Sequence, residues 1–98
     1  MLSVITPVYN NGEELHRAIN SVLQQAEISN GQLPVEIILI NDGSNAQCCE
    51  LLADIKDQYP QVTLLNHKEN RGPAAARNTG LKHARGELIS FKIGRAHV

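Results

Sequence analysis

Hydrophobic and polar positions along the chain fall into two kinds of segment that follow one another. Four short runs rich in β-branched and other apolar residues, at positions 2–6, 35–40, 62–66 and 87–91, predict strands. The run at 35–40 is the most strongly apolar, which is typical of a strand buried on both faces in a parallel sheet. Pro7 is expected to end the first strand, because proline cannot donate a hydrogen bond to a sheet ladder.

Three helices are predicted between these strands. The first is expected to begin with Asn11 as its N-cap and Glu14 as the capping partner, followed by apolar residues at helical spacing. This stripe consists of Leu15, Ala18, Ile19, Val22 and Leu23. The second helix is expected between Asn45 and Pro60, and the third from Pro73 to position 84. The order β-α-β-α-β-α-β predicts an α/β fold with a parallel, Rossmann-like sheet and right-handed crossovers.

Composition narrows the class of protein. The 98 residues fit one small domain or part of a larger one. A net charge of −1, no run of Lys or Arg, and three aromatic residues argue against a nucleic-acid partner. Cys48 and Cys49 are neighbours in a predicted helix and point in different directions, so that they cannot readily pair with each other, which favours a reducing compartment. No apolar stretch approaches the roughly 20 residues that a membrane span needs, and we expect a soluble, cytoplasmic protein.

Ligand chemistry is expected at the carboxyl ends of the strands, because open parallel sheets bind ligands outside that edge. Tyr9 follows the first strand, Asp42 the second, and the loop at 67–72 the third. The Tyr9 ring could stack on a heterocycle, and the Asp42 carboxylate could accept hydrogen bonds from an imide N–H or a ribose hydroxyl. Two plainer interpretations stay open: Tyr9 covers the core, and Asp42 makes an Asx-turn or caps a helix.

The segment at 70–80 is a second candidate for ligand binding. Its small residues, Ala74 to Ala76, would let a helix approach the sheet closely, and the helix N-terminus offers free N–H groups to an anion. Arg77 lies about one turn into this helix and could reach such a ligand, with a solvated surface arginine as the alternative. The glycine-rich loops of dinucleotide dehydrogenases and P-loop NTPases are missing. Four histidines are expected at the surface: His16, His67, His83 and His97.

Three motifs in this order resemble those of family 2 glycosyltransferases of the A-type fold. They are Ser-Val-Ile-Thr-Pro-Val-Tyr-Asn at 3–10, Ile-Asn-Asp-Gly-Ser at 40–44, and Asn-Arg-Gly-Pro at 70–73 with Ala-Arg-Asn-Thr-Gly at 76–80. The resemblance covers residues 2–91. It implies a truncated nucleotide-diphospho-sugar transferase fold and an inverting transfer of sugar, often from a UDP-sugar, to an acceptor hydroxyl. Asn41 departs from the acidic residue commonly found before the aspartate in this family.

The resemblance also implies which residues contact the nucleotide. They are Pro7, Val8, Tyr9, Asp42, Gly72 and Arg77. Pro7, Val8 and Tyr9 would line the base pocket, and Asp42 would accept a hydrogen bond from the uracil imide or its surroundings. Gly72 and Arg77 would lie beside the nucleotide. A non-catalytic nucleotide-binding α/β module is the alternative function.

Parts of the family's machinery are missing from the chain. The family's fourth strand normally leads into an Asp-x-Asp element that holds Mn²⁺ or Mg²⁺ on the donor diphosphate, and the general base lies further on. Phe91 is followed instead by Lys92 and a segment, 93–98, whose back-translation resembles a sequencing adapter. We therefore expect residues 1–91 to be the nucleotide-binding part of the domain and 92–98 to be a non-native tail. The full-length protein would need the metal and an acceptor saccharide or lipid-linked glycan, which it could meet at the cytoplasmic face of a membrane, and the fragment alone would be inactive.

Overall fold

A computed structural model describes residues 1–10, 12, 14–25, 28 and 30–91. The elements are β1 (Leu2–Val8), α1 (Leu15–Leu23), β2 (Val35–Asp42), α2 (Ala46–Gln58), β3 (Val62–His67), α3 (Pro73–His83) and β4 (Leu88–Ser90). The four strands form one sheet in the order β3-β2-β1-β4, and every neighbouring pair is parallel. The predicted α/β fold with a parallel sheet is therefore confirmed. Residues 92–98, expected to be a non-native tail, lie outside the described residues.

The sequence predicted that the first strand ends at Pro7, but the strand continues past this residue. β1 continues to Val8, and Pro7 pairs with Ile40 in the register of β2. Alternate residues of a strand direct their N–H groups to opposite neighbours, and Leu2 donates to Pro34 on the β2 side. The nitrogen of Pro7 therefore faces the side of β4, whose pairing with β1 extends only from Leu2 to Val4. Proline therefore removes no hydrogen bond from the β1–β4 pairing that the described residues make.

The core lies on both faces of β2, as its apolar run predicted. Ile37 and Leu39 belong to a cluster with residues of α1 and α2, whereas Ile38 and Ile40 pack with Ala76 of α3. This alternation is the period of two that strand geometry imposes. β2 extends two residues beyond its predicted end at Ile40, so that Asp42 belongs to the strand and pairs with His67 of β3.

Helix α3 approaches the sheet through small residues, of which Ala76 was expected and Gly80 was not. Ala76 and Gly80 are buried, whereas Ala74 is exposed. A Cβ at Gly80 would overlap the Cγ2 methyl of Ile5 and lie 3.0 Å from Cδ1 of Ile40. Glycine at 80 thus brings the helix backbone against the sheet.

The start of α1 also differs from the prediction. The helix begins at Leu15 with Glu14 before it, and no side chain of the described residues caps its N-terminus. Asn11, the predicted N-cap, lies outside the described residues. The backbone N–H of Leu15 donates instead to the carbonyl of Gly12 over 3.1 Å. Helix α2 has a side-chain cap, because Asn45 Oδ1 accepts from the N–H of Cys48 over 2.9 Å.

A buried carboxylate joins β4 to the sheet at the edge opposite the strand carboxyl ends. Glu36 Oε2 accepts from the Ser3 hydroxyl and from the N–H of Arg85, both over 2.6 Å. The Ser3 oxygen in turn accepts from the N–H of Gly86 over 2.8 Å. Burial would raise the pKa of Glu36, but the hydrogen bonds from Arg85 and Ser3 hold that pKa below its ordinary value.

Candidate nucleotide site

Asn10 connects two strand ends through its backbone and its side chain. Its backbone N–H donates to Ser44 Oγ over 3.0 Å, and its Oδ1 accepts from the N–H of Asn45 over 2.7 Å. Asn10 has φ +56°, a left-handed conformation that asparagine adopts more readily than most residues. The loop after β1, which carries Tyr9, is therefore fixed to the start of α2.

Asn41 completes this connection from inside the strand. It is buried, its Oδ1 accepts from the N–H of Ser44 over 3.0 Å, and its amide nitrogen donates to Asn66 Oδ1 over 3.0 Å. The same nitrogen lies 3.2 Å from Cys49 Sγ. The Asn41 amide therefore both donates and accepts hydrogen bonds, at a position where the family that the sequence resembles commonly has an acidic residue. A carboxylate could make only the accepting bond.

The Asp42 carboxylate holds the loop that leads into α3. Its Oδ1 accepts from the N–H of Arg71 over 2.9 Å and from His67 Nδ1 over 2.8 Å. Its Oδ2 accepts from the N–H of Gly72 over 2.9 Å and from the Asn70 amide over 3.1 Å. Four donors fill the acceptor positions that two carboxylate oxygens offer. Asp42 thus fixes three consecutive residues of the loop, Asn70 to Gly72.

These bonds keep Asp42 ionised although it is buried. Burial by itself would raise the pKa of this carboxyl group. The hydrogen bonds from His67, Arg71 and Gly72, together with the attraction of a protonated His67, hold the pKa below its ordinary value. The site therefore carries a fixed negative charge that is compensated inside the protein.

Two glycines let the strand and the loop take these positions. Gly43 has φ +74°, and a Cβ there would lie 2.5 Å from the nitrogen of Asn70. Gly72 has φ +94°, and a Cβ on it would meet no atom within 4 Å. Gly43 thus allows close packing of the loop on the end of β2, whereas the space beside Gly72 is open to a ligand.

The expected base-pocket residues lie at the same edge in different environments. Tyr9 is 51% exposed, Pro7 is half-buried, and the side chain of Val8 lies in the core. The carbonyl of Val8 accepts from the Ser44 hydroxyl over 3.4 Å. Tyr9 and Pro7 can therefore offer their side chains to a ligand, whereas Val8 can offer only backbone atoms.

Arg77 projects from α3 in the turn that follows the Gly72 loop. It is half-buried, and within the described ranges its guanidinium makes no hydrogen bond or ion pair. The first turn of α3 contains no acidic residue that would neutralise the helix N-terminus. This end of the helix therefore combines free backbone donors with an arginine, an arrangement suited to an anionic group.

The sequence placed His67 at the surface, and this expectation was wrong. The His67 side chain is only 6% exposed and lies between Asp42 and Thr79, whose Oγ1 is 2.8 Å from His67 Nε2. The strand pattern ended at Asn66, one residue too early to show that His67 pairs with Asp42 in the sheet register. That register is the signal that would have found it.

The comparison with known proteins agrees with this geometry. The sequence profile described as Glycosyl transferase family 2 matches residues 3–91, most of the chain. The chain belongs to this family. An uncharacterized glycosyltransferase of Haemophilus influenzae is 41% identical over 91 residues, which cover 93% of this chain and 34% of that protein.

Solved structures resemble this family 2 glycosyltransferase chain as well. The mannosyltransferase PcManGT from Pyrobaculum calidifontis, in complex with GDP-Man and Mn²⁺, superposes with a TM-score of 0.75 and 26% identity over 90% of this chain and 25% of its own. S. aureus TarS 1-349 in complex with UDP gives a TM-score of 0.74 and 26% identity over 93% of this chain and 26% of its own. The chain thus spans about a third or less of the length of these proteins.

The described residues do not themselves suit the divalent metal that the resemblance implies. No group of three or more His, Cys, Asp or Glu side chains within these ranges is arranged to hold a metal ion. Asp42, the acidic residue that holds the loop, already accepts four hydrogen bonds from the protein. Nor is any helix in the same part of this glycosyltransferase chain both long and apolar enough to cross a membrane.

Proposed function

We propose that this chain is the donor-binding part of an inverting glycosyltransferase that transfers a sugar from a nucleotide-sugar, a UDP-sugar in particular, to an acceptor hydroxyl. Membership of family 2 supports glycosyl transfer. The similar structures that contain GDP-Man or UDP support a nucleotide-bound donor. The choice of UDP and the inverting course are our proposals.

The observation that carries this proposal is the pairing of an exposed Tyr9 with an open, positively charged helix end. Tyr9 stands at the end of β1, and the loop from Asn70 to Gly72 is held at the same sheet edge by Asp42. A nucleotide has the matching chemistry, because its base has a flat face and its phosphates are anionic. In this arrangement the base stacks on Tyr9, and the phosphates lie towards Gly72 and Arg77.

Each of the six candidate residues has a distinct part in this binding mode. Tyr9 supplies the stacking surface and Pro7 borders it, whereas Val8 contributes backbone atoms. Arg77 supplies a charge-assisted hydrogen bond to an anionic oxygen. Gly72 keeps the approach to α3 free of a side chain. Asp42 acts on the nucleotide through the loop that it fixes, because a direct bond to the base would have to replace one of its four internal bonds.

The remaining chemistry belongs to residues that the described part of the chain does not include. In the full-length protein, Mn²⁺ or Mg²⁺ would neutralise charge that develops on the departing nucleotide diphosphate. A carboxylate acting as general base would deprotonate the acceptor hydroxyl. Leu88, Ile89 and Phe91 are exposed at the β4 edge, where the rest of the domain would cover them. The acceptor in this proposal is a saccharide or a lipid-linked glycan.

Titration of UDP into a full-length version of the protein, with Mn²⁺ present, tests the assignment. Tyr9→Ala is expected to weaken UDP binding by about tenfold, since stacking on an aromatic ring is worth about 1–3 kcal/mol per base. Tyr9→Phe keeps the ring and should retain most of the affinity. Arg77→Ala should cost about tenfold or more through the lost charge-assisted bond. Arg17→Ala, which removes an exposed arginine of α1, serves as the matched control.

Two results would contradict the proposal. Equal affinities for UDP in the wild-type protein, Tyr9→Ala and Arg77→Ala would show that UDP does not bind at the assigned site. Binding of UDP without transfer of a labelled sugar from any nucleotide-sugar by the full-length protein would favour the alternative, a non-catalytic nucleotide-binding module.

A further inference from the structure

We propose that His67, held by Thr79, is a positioning residue of the nucleotide site and gives nucleotide binding a dependence on the protonation of its ring. It acts through Asp42 on loop 70–72, the three residues that Asp42 fixes. The inference rests on the proposed function, because it concerns the same site.

The His67 ring is buried, so it can act on a ligand through its neighbours but cannot contact the ligand itself. His67 and Asp42 pair at the ends of neighbouring strands, and their side chains are 6% and 4% exposed. His67 Nδ1 lies 2.8 Å from Asp42 Oδ1, and Nε2 lies 2.8 Å from Thr79 Oγ1. Both ring nitrogens are therefore occupied by protein atoms. His67 would therefore affect a ligand at the sheet edge only through Asp42.

The directions of the hydrogen bonds indicate the charge on the ring. The ionised Asp42 carboxylate can only accept, so Nδ1 carries a proton. Thr79 has a single hydroxyl hydrogen, which it donates to the carbonyl of Ala75 over 3.1 Å. With the Thr79 hydroxyl in this orientation, Nε2 donates to Thr79 Oγ1 and both ring nitrogens carry protons, so this arrangement corresponds to the charged ring. Loss of the Nε2 proton would require the Thr79 hydroxyl to turn away from Ala75 and donate to the ring.

The charge on His67 bears directly on loop 70–72. Asp42 Oδ1 is shared between His67 Nδ1 and the N–H of Arg71. A protonated ring compensates the buried carboxylate, and this makes a fixed Asp42 less costly to bury. When the ring is neutral, Asp42 keeps only neutral donors, so that opening of the loop costs less free energy. Nucleotide affinity should therefore fall as the ring loses its proton.

Other charged groups lie on the adjoining loop and on α3. They are Lys68, Glu69, Arg71, Arg77, Lys82 and His83. His83 Nδ1 lies 3.0 Å from the carbonyl oxygen of Thr79, whereas none of these side chains forms an ion pair or hydrogen bond with the His67 side chain in the described ranges. Asp42 of β2 is the ionisable group that does, so a change in the charge of the ring acts first on Asp42.

Three variants distinguish the effect of the hydrogen bond that His67 donates to Asp42 from the effect of the charge on the ring. His67→Asn places an amide nitrogen near the position of Nδ1, so that it keeps a neutral donor to Asp42 but cannot titrate. His67→Leu removes the donor, and Thr79→Val removes only the hydroxyl that accepts from Nε2. His16→Asn is the matched control, because His16 of α1 lies beside Tyr59 and makes no contact with the strand ends in the described residues.

The first measurement needs no nucleotide and uses the 98-residue chain. Amide hydrogen exchange of Arg71 and Gly72, followed by NMR, should be about tenfold faster or more in His67→Leu, which loses a charge-assisted bond. His67→Asn should restore most of the protection, and the buried amide of Ile38 should change little. Unchanged exchange of Arg71 and Gly72 would overturn the proposal. If His67→Leu does not fold, Thr79→Val and His67→Asn take its place, with smaller increases expected.

The second measurement is the affinity for UDP as a function of pH, with the ring nitrogens of His67 followed by ¹⁵N NMR. Wild-type affinity should fall by about threefold or more as the ring deprotonates, and His67→Asn should lack this step while His16→Asn keeps it. UDP titrates equally in every sample, so a difference between variants belongs to the chain. The same pH profile in wild type and His67→Asn would overturn the proposal. If no form binds UDP, the proposed function fails, and the exchange of Arg71 and Gly72 still decides whether His67 holds the loop.

Discussion

Asn10 Oδ1 accepts a hydrogen bond from the backbone N–H of Asn45 over 2.7 Å, which joins the end of β1 to the start of α2. A second bond, from the N–H of Asn10 to Ser44 Oγ, closes the same connection. Tyr9 therefore stands on a loop that is fixed at its next residue. A backbone held in this way loses little conformational freedom when a base stacks on the Tyr9 ring, which favours binding.

Gly43 is predicted to be essential for the position of loop 70–72. Gly43→Ala would place a methyl group 2.5 Å from the nitrogen of Asn70 at a φ of +74°. We expect a loss of about 2–4 kcal/mol in the free energy of unfolding, measured with urea. Gly31→Ala is the matched control, because Gly31 also has positive φ but a Cβ there meets nothing within 4 Å. It should cost about 1 kcal/mol, from backbone strain alone. Equal losses in the two variants would show that Gly43 makes no close contact with the loop.

Asp42 is predicted to contribute stability that acid removes. Its pKa is lowered in the folded chain, so its ionised form favours folding above the unfolded pKa of about 3.9. That contribution disappears as the pH falls through the lower folded pKa. Asp42→Asn should cost about 2–4 kcal/mol at pH 7, because an amide cannot accept all four hydrogen bonds. The variant should also lose less stability than the wild type between pH 7 and about pH 3.

The control for this experiment is Asp57→Asn, which removes an exposed carboxylate from the end of α2. It should leave both the unfolding free energy at pH 7 and its acid dependence close to wild type. Glu36, whose pKa is also lowered, will keep part of the acid dependence in every variant. An Asp42→Asn chain with the wild-type slope against pH would contradict the assigned bonds.

The sequence predicted the four strands and the helices α1, α2 and α3, because burial imposes periods of two and 3.6 residues. The predicted ends of strands were wrong where the pairing of a single backbone group decides where the strand ends. Pro7 reads as a strand end, yet its nitrogen faces the β4 side of β1, three residues beyond the last β4 pair that the described residues form. Asn41 and Asp42 read as a turn because asparagine and aspartate favour turns, yet pairing with β3 keeps both in the strand.

The location of the site followed from topology, but its connections did not. Parallel strands bring Tyr9, Asp42 and loop 70–72 to one edge, whatever the register. The partners of Asp42 depend on the register between β2 and β3, which sets His67 opposite it. Periodicity does not encode that register, so the sequence treated His67 as a surface residue.

Gly80 is predicted to set the distance between α3 and the sheet. Alanine has a higher helix propensity than glycine by about 1 kcal/mol, so Gly80→Ala would stabilise a solvated helix. In this fold the new methyl group would overlap Ile5, and we expect a net loss of about 1–3 kcal/mol in urea unfolding. In an Ile5→Ala background the overlap disappears, and Gly80→Ala should cost less than it does alone. Additive effects of the two substitutions would contradict the contact.

Ser3 is predicted to affect stability without affecting the nucleotide site. Its buried hydroxyl donates to Glu36 and accepts from the N–H of Gly86, at the sheet edge opposite Tyr9 and Asp42. Ser3→Ala would leave both partners short of a hydrogen bond, and we expect a loss of about 1–3 kcal/mol. Affinity for UDP, measured well below the unfolding transition, should stay at the wild-type value, because no strand end moves. Ser21→Ala, at an exposed position of α1, is the matched control for stability. A weaker affinity for UDP in Ser3→Ala would show that the two edges of the sheet are coupled and that β4 helps to shape the site.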